Sequence, residues 1–450
     1  MANQTPVTSV QSSPASINKL SVFSNKDKSR TVELANGNRI VSLSYYESIL
    51  QDCVRATVSY VDTGNAIEDK TAIEGLPIVG TERVNLKFRD NNDKFLNLTL
   101  YVNKVTPVSD DTNKSLVHLD LVSKEFIFNE KIRINQRFDG RISDHVRKIL
   151  TNQNSGGLNT QKKIDIEETS NTYNFIGNNK KPYYLMNWLS RLSVSSENQK
   201  RGESAGYFFF ETSEGFKFKS IDGLLSQKQK KSISYNDSSD REEVPAGYDI
   251  KALALSKDNR VDTKDKLEKG AFSTRTILFD PFNCYYEVVA SDAKSKEQNL
   301  KLAGKELPKL NSEFDVAGLN KEFSRTTYYL LDTGTLPTGN TRQQIGKSQE
   351  VNFDVKNILN QSIMRYNQLY SSMITVTIAG DFSLHAGDVV YVDVPELSAD
   401  TKNDQVSKQS GGLYIISDLC HYVTTKGTFT KLNLVRDSFG RTGNHTTNRS

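Results

Sequence analysis

The side chains best able to do chemistry are few and scattered along this chain. Gly202-Glu-Ser-Ala-Gly206 matches the G-x-S-x-G pattern, in which a strained strand-to-helix turn exposes a nucleophilic serine. Its flanks run the wrong way, because a polar stretch at 193–201 precedes Ser204 and the strand-like run Tyr207-Phe-Phe-Phe210 follows it. The five histidines, His118, His145, His385, His421 and His445, include no i, i+4 pair and no H-E-x-x-H spacing, so no zinc-hydrolase ligand set is encoded. His118 and His421 fall in strand patterns and read as structural. Neither a G-x-G-x-x-G turn nor a G-x-x-x-x-G-K-[ST] loop is present to cradle a phosphate. Glu167-Glu168 and Glu242-Glu243 sit in polar loops, where spacing alone cannot set two acids across a sugar. Lys228, Lys230 and Lys231 alternate with Gln and Ser rather than aromatics, the pattern of a solvated loop rather than of a base-stacking groove. The expectation is a chain with no catalytic residues, no cofactor and no metal.

Bulk properties bound the remaining classes. At 450 residues the chain exceeds one hydrophobic core, and two to four packed units are expected. Only 36% of residues are hydrophobic, which implies long solvated connections. A net charge of +4 is too small for a phosphate-tracking surface, so specific nucleic-acid binding is disfavoured. Cys53, Cys284 and Cys420 are odd in number and far apart, which excludes a disulfide framework and fits a reducing compartment. The N-terminus has no basic start followed by an apolar core, and no run nears the ~18 apolar residues of a membrane helix, so a soluble chain made without export and without stable membrane insertion is expected. Asn97-Leu-Thr99 is accordingly read as a chance sequon.

The elements that would position any site are mostly strands. Residues 1–30 are polar and without period, and read as a flexible arm. Asn36-Gly37 between Val32-Glu-Leu34 and Ile40 predicts a hairpin. Alternation recurs at Val54–Tyr60, Val84–Phe88, Leu96–Val102 and Leu116–Val122, each a strand with one wet face, together a barrel or sandwich. The period changes to 3.6 at Ile142, Val146, Ile149 and Leu150 and again at Leu185, Trp188, Leu189 and Leu192, predicting two helices around a polar linker at 151–172. Gly206–Phe210 and Gly215–Phe218 predict a hairpin. Residues 226–245 and 256–270 read as loops, Ile250–Leu255 and Phe272–Asp280 as strands, and 291–350 as irregular. Asp354 is an expected N-cap for a helix carrying Val355, Ile358, Leu359, Ile363, Tyr366 and Leu369, and strands follow at 374–378, 388–394, 413–416, 422–424 and 428–435.

In this order the segments resemble a family: the baseplate central hub subunit of contractile-tailed bacteriophages, related to the hub part of type VI secretion spike proteins. The resemblance rests on Tyr45-Tyr-Glu-Ser-Ile-Leu50, Ile73-Glu-Gly-Leu-Pro-Ile-Val-Gly-Thr-Glu-Arg-Val84, Phe138-Asp-Gly-Arg-Ile-Ser-Asp-His-Val-Arg-Lys-Ile-Leu150 and Pro182-Tyr-Tyr-Leu-Met-Asn-Trp-Leu-Ser190. It continues through Ile378-Ala-Gly-Asp381, Ala386-Gly-Asp-Val-Val390, Val394-Pro395, Gly411–Ser417 and Leu432–Arg436. It implies a mainly β chain with an α+β middle and two small antiparallel β-barrels: an arm at 1–30, a first barrel at 31–130, a middle domain at 131–245, a split second barrel at 246–283 and 353–437, an insertion at 284–352 and a tail at 438–450. Gly380, Asp381, Gly387, Asp388 and Pro395 are expected to shape turns and strand ends of the second barrel, glycine supplying the backbone freedom and proline ending its strand.

The resemblance further implies a homotrimer forming a pseudo-sixfold ring between the sixfold tail tube and the trimeric puncturing spike, with DNA passing through its channel. Its expected partners are the tail tube protein, the spike, baseplate wedge proteins and the tape measure protein; its expected place is the virion, assembled in the host cytoplasm. Two alternatives stand beside it. A tail-associated cell-wall hydrolase is suggested by Gly202–Gly206 and the carboxylates, and a carbohydrate-binding module by Trp188 and the 19 tyrosines.

Overall fold

A computed structural model describes residues 12–27, 29–35, 39–110, 113–152, 156–196, 205–235, 244, 247–258, 262–281, 284–292, 300–314, 325–330, 339–348, 352, 355–394 and 410–443. The first part is β1 (Ser16–Phe23), β2 (Thr31–Glu33), β3 (Ile40–Ser48), β4 (Arg55–Asp62), the short α1 (Ala72–Gly75), β5 (Arg83–Arg89), β6 (Phe95–Asp110) and β7 (Ser115–Val122). They pair in the order β2-β1-β5-β6-β7-β4-β3. β6 is long enough to turn a corner: residues 95–101 pair with β5 and 101–110 with β7. The alternating apolar side chains, among them Val58, Leu86, Leu100 and Leu119, all point into one core.

The middle part is mixed: α2 (Lys124–Lys131), β8 (Arg137–Phe138), α3 (Ile142–Thr151), β9 (Ile164–Ile166), β10 (Phe175–Ile176), α4 (Pro182–Leu192), β11 (Tyr207–Thr212), β12 (Gly215–Ser220) and α5 (Ile221–Leu225). Proline at the first turn of α4 loses no hydrogen bond, and Leu185 and Leu189 meet Val146 and Ile149 of α3 in a second core with Phe209 and Phe218.

The last part comprises β13 (Lys231–Ser234), β14 (Ile250–Lys251), β15 (Ala254–Asp258), α6 (Thr263–Lys269), β16 (Ser273–Asp280), β17 (Tyr285–Asp292), β18 (Arg325–Leu330), α7 (Thr341–Ser348), α8 (Val355–Leu369), β19 (Ser372–Ala379), β20 (Val389–Asp393), β21 (Gly412–Thr424) and β22 (Thr428–Arg436). β13, β20, β21, β22, β19 and β15 enclose a third core that includes Ile233, Ile374, Val376, Val390, Ile416 and Leu432. A fourth cluster, with Ile49, Phe210, Leu224, Leu369, Ala386 and Val435, joins all three parts.

The mainly β architecture with an α+β middle is thus the one expected, but among the described residues no sheet closes into a barrel. The strands of the first part and β13, β14, β15, β19, β20, β21 and β22 of the last instead form a single 14-stranded sheet. The last part comes nearest to closure, because the segment at 249–258 leaves β13 at Ala252, whose amide bonds Ser234, and reaches β19 at Leu253, whose amide bonds Thr377.

Other expectations are corrected. The arm expected at 1–30 contains β1, which lies in the sheet with Leu20 and Val22 fully buried; a bulge between Ile17 and Lys19 breaks the alternation that would reveal it. The hairpin across Asn36-Gly37 does not form between its flanking strands, since β2 pairs with β1 and β3 with β4 and β21. Asn36 and Gly37 themselves, like Asp354 and Pro395, lie outside the described residues. β9 falls in the expected linker and β13 in the expected loop at 226–245, while the loop at 256–270 holds the end of β15 and all of α6. α6 was hidden because it is short and locally specified: Asp262 caps it and Gly270, at φ +78°, ends it. Residues 291–350 hold β18 and α7 besides loops. β16, expected in the second barrel, pairs with β17 and β18 in a separate sheet, so a boundary at 284 would cut the β16–β17 hairpin. The expected tail at 438–450 begins inside the fold, with Ser438 buried and Phe439 hydrogen-bonded to Glu306.

Candidate functional site

The two halves of the large sheet meet on one strand. Along one edge of β21, residues 412–415 pair with β20 and residues 418–424 with β3, while the other edge pairs with β22 from Ile415 to Val423. The change of partner falls at a bulge between Ile416 and Asp418, where the Ser417 carbonyl accepts the Ile49 amide at 2.9 Å. A single row of cross-strand partners therefore runs Arg83, Tyr101, Val122, Arg55, Tyr46, Cys420, Lys431, Thr377, Ala254 from one half to the other. Nearby on the open face lie Ser44, Thr57, Lys104, Asp120, Asp418 and Asn433; the opposite face carries the apolar cores.

The loop between β19 and β20 holds four of the expected site residues at this joint. Gly380 donates its amide to the Thr428 carbonyl at 2.9 Å and lies so close that a Cβ would meet Thr428 Cγ2 at 2.4 Å. Asp381 is buried, and its Oδ1 accepts the amide (2.9 Å) and hydroxyl (2.6 Å) of Ser383. Gly387 has φ +85°, donates to the Ile416 carbonyl and packs on Phe210. Asp388 Oδ2 accepts the His385 amide and the Lys230 ammonium, each at 2.9 Å. Lys230 and Lys231, expected in a solvated loop, instead sit at β13 and face Asp388 and Asp381. These positions set a turn that is tied into its neighbours on every side.

Sequence reasoning did not single out the group around which that turn closes. Glu47, at the end of β3, is buried; its Oε2 accepts the Ala386 amide at 2.9 Å, and its Oε1 accepts the Ser213 amide at 2.7 Å and the Tyr45 hydroxyl at 2.8 Å. Burial alone would raise its pKa, but the hydrogen bond and charge of His385 and the two amides bring it down to about 2. For His385, burial favours the neutral ring and is outweighed by Glu47, so its pKa lies above the usual imidazole value. His421, sealed between Tyr45 and Phe382, is lowered to about 4 by burial.

A serine, an imidazole and a carboxylate thus lie together, but not as a hydrolase. Ser213 Oγ at 3.3 Å and Glu47 Oε1 at 3.4 Å both meet Nδ1 of His385. A catalytic base needs one ring nitrogen for the orienting acid and the other for the nucleophile's proton. Ser204 lies outside the described residues, and Ala205 and Gly206 lead into β11, not a helix. Glu167 accepts the hydroxyls of Ser195 and Ser220, and Glu168 pairs with Arg147. Trp188 packs edge-on against Tyr173 and Phe175, centroids 5.3 Å apart in each case, so its ring is not a free stacking platform.

A second tie lies behind the joint. Fully buried Arg365 of α8 bonds Asp222 of α5 at 2.8 Å and Asp437, just after β22, at 2.5 Å. Burial opposes its charge, and the two carboxylates overcome that and raise its pKa.

The architecture is similar to that of two solved tail proteins. It is similar to the 43 kDa tail protein of prophage MuSo2 from Shewanella oneidensis, at a TM-score of 0.50 and 10% identity over 94% of this chain and 99% of that one. It is also similar to a tail protein of Neisseria meningitidis, at a TM-score of 0.51 and 9% identity over 93% and 96% of the two chains. No family model matches the sequence, and no curated protein does. At these identities the likeness is one of fold.

Proposed function

We propose that the chain is a structural baseplate hub subunit of a contractile phage tail. Three copies form a pseudo-sixfold ring that joins the sixfold tail tube to the trimeric puncturing spike and lets DNA pass, with the wedge and tape measure proteins as further neighbours. The observation that carries this reading is the unbroken row of partners from Arg83 to Ala254, which makes the two strand-rich halves one wall with a polar face. A tube wall needs such a sheet, wet on the channel side and packed behind. Two similar halves in one chain, repeated three times, supply six wall segments, and closed symmetry covers the sheet edges that a monomer must protect. On this reading one half runs from β1 to β7 and the other comprises β13, β14, β15, β19, β20, β21 and β22, overlapping the expected units at 31–130 and at 246–283 with 353–437 without sharing their bounds.

The role is architectural, and its site is the joint at β21, where Glu47 and Asp388 fix the angle between the halves. Light scattering or native mass spectrometry of the purified 50.6 kDa chain, alone and with a co-expressed spike protein, tests it. A species of three times that mass, alone or with the spike, is expected. A monomer under both conditions refutes the ring.

A further inference from the structure

Beside the bulge in β21, the open face of the large sheet holds a notch of about 480 Å³. That is within the range of about 300–1,000 Å³ usual for ligand sites. Four of its lining residues are consecutive in the cross-strand row: Arg55 of β4, Tyr46 of β3, Cys420 of β21 and Lys431 of β22. Asp418 and Asn433 line it beside them. The first and last of the four are cations, and among the described residues neither is paired with a carboxylate. Arg55 is held over the Phe126 ring, 5.5 Å from its centroid. The nearby acids are engaged elsewhere: Asp418 accepts the Ser417 hydroxyl at 2.8 Å, Asp52 accepts the Asn187 amide at 2.6 Å, and Glu47 is closed into the turn at Ala386.

The spacing of the two cations says what fits between them. Three strand spacings of about 4.8 Å set Arg55 and Lys431 about 14 Å apart along the row. An extended polypeptide advances about 3.3 Å per residue and shows every second side chain on one face, so acids four residues apart stand about 13 Å apart on that face. Between the cations, Tyr46 is 41% exposed as an apolar floor with a polar tip, and the Asn433 amide and Asp418 carboxylate can meet peptide carbonyls and amides. A nucleic-acid strand carries charge along its whole length and would also set a phosphate against Asp418.

We propose that this notch is a binding site for an extended acidic segment of another protein, with two carboxylates four residues apart seated on Arg55 and Lys431. The site lies within one chain. It goes beyond the ring reading, because a monomer that binds the segment would lose the ring and keep the site.

The test is fluorescence anisotropy of the full-length chain with a labelled heptapeptide, Thr-Glu-Val-Thr-Val-Glu-Thr. The same composition with the glutamates adjacent, a version with lysines in their place and a labelled oligothymidylate are measured beside it. Arg55→Gln and Lys431→Gln should each weaken binding of the spaced peptide about tenfold, the scale of one charge-assisted hydrogen bond. Lys104→Gln removes one charge from the same face outside the notch and should change it less than about twofold. All three variants should melt as the parent does, because the substituted side chains are exposed. The adjacent-glutamate and lysine peptides should bind at least about tenfold more weakly than the spaced one. Failure of the spaced peptide to bind at millimolar concentration overturns the proposal, as does an equal loss in Lys104→Gln or equal binding of the adjacent-glutamate peptide. Tighter binding of the oligothymidylate through Arg55 and Lys431 also overturns it, by making the notch a phosphate contact.

Discussion

Arg365 Nη1 lies 2.5 Å from Asp437 Oδ2, with both side chains almost wholly buried. Its Nη2 also reaches Asp222, so one guanidinium ties α8 to α5 and to the end of β22. Asp437 in turn accepts the Ala303 amide at 3.0 Å. Removing the cation would leave two carboxylates facing each other without a counter-charge, which typically costs about 3–5 kcal/mol. Arg365→Leu is therefore expected to lose stability on that scale in chemical denaturation. Arg365→Lys should also lose stability, since one ammonium cannot span both acids. A loss below about 1 kcal/mol for Arg365→Leu would mean that the tie is not holding the middle part to the large sheet.

Gly387 offers a test of backbone constraint. At φ +85°, and with a Cβ due 2.8 Å from Phe210 Cζ, alanine there is both strained and overpacked. Gly387→Ala should cost about 2–3 kcal/mol in denaturant unfolding. Gly64, also left-handed at φ +75° but open on every side, should cost about 1 kcal/mol as alanine. Equal costs would remove steric closeness from the account.

The joint makes a prediction about pH. His385 has a folded pKa above its ordinary 6.5, so its contribution to stability is full below 6.5 and is lost as pH rises through the folded value. Glu47 is depressed to about 2, so its contribution is full above 4.5 and is lost as pH falls towards 2. His421, lowered to about 4, opposes His385: its contribution is full above 6.5 and is lost as pH falls towards 4. Melting temperatures of the parent and of His385→Gln should therefore differ most between pH 4.5 and pH 6.5 and converge as pH rises further. A difference that is constant with pH would show that His385 does not carry a charge in the fold.

The shared strand can be broken at one point. Tyr46 pairs with Cys420 on one side and Arg55 on the other, and its side chain is largely exposed. Tyr46→Pro removes a ladder donor from an interior strand and should cost about 3 kcal/mol or more, splitting one calorimetric transition into two as the halves uncouple. Tyr46→Ser, which keeps the amide, should stay within about 1 kcal/mol of the parent and melt once. Two transitions in the parent itself would count against a single coupled wall.

Much of this fold was legible in the sequence wherever one face of an element is buried and its neighbours are near in the chain. Val84–Phe88 and Ile374–Ile378 alternate because a strand has period two, and Ile142–Leu150 and Leu185–Leu192 repeat as helices do; all four are found where expected. The turn residues Asp381, Gly387 and Asp388 were also visible as residue types, though not what they hold.

Everything that makes the joint was decided only in three dimensions. Glu47 and His385 are 338 positions apart, and no local pattern links them. Glu47 looks like an ordinary strand-end acid until the fold removes its water and supplies two amides in exchange. β1 escaped because a bulge shifts its phase, and β13 because four residues are too few to show a period. Local sequence fixes which side chains share a face, through the geometry of the backbone. Which faces meet, and that two half-sheets share β21 rather than close separately, depends on pairing energies summed over distant strands, which no short window contains.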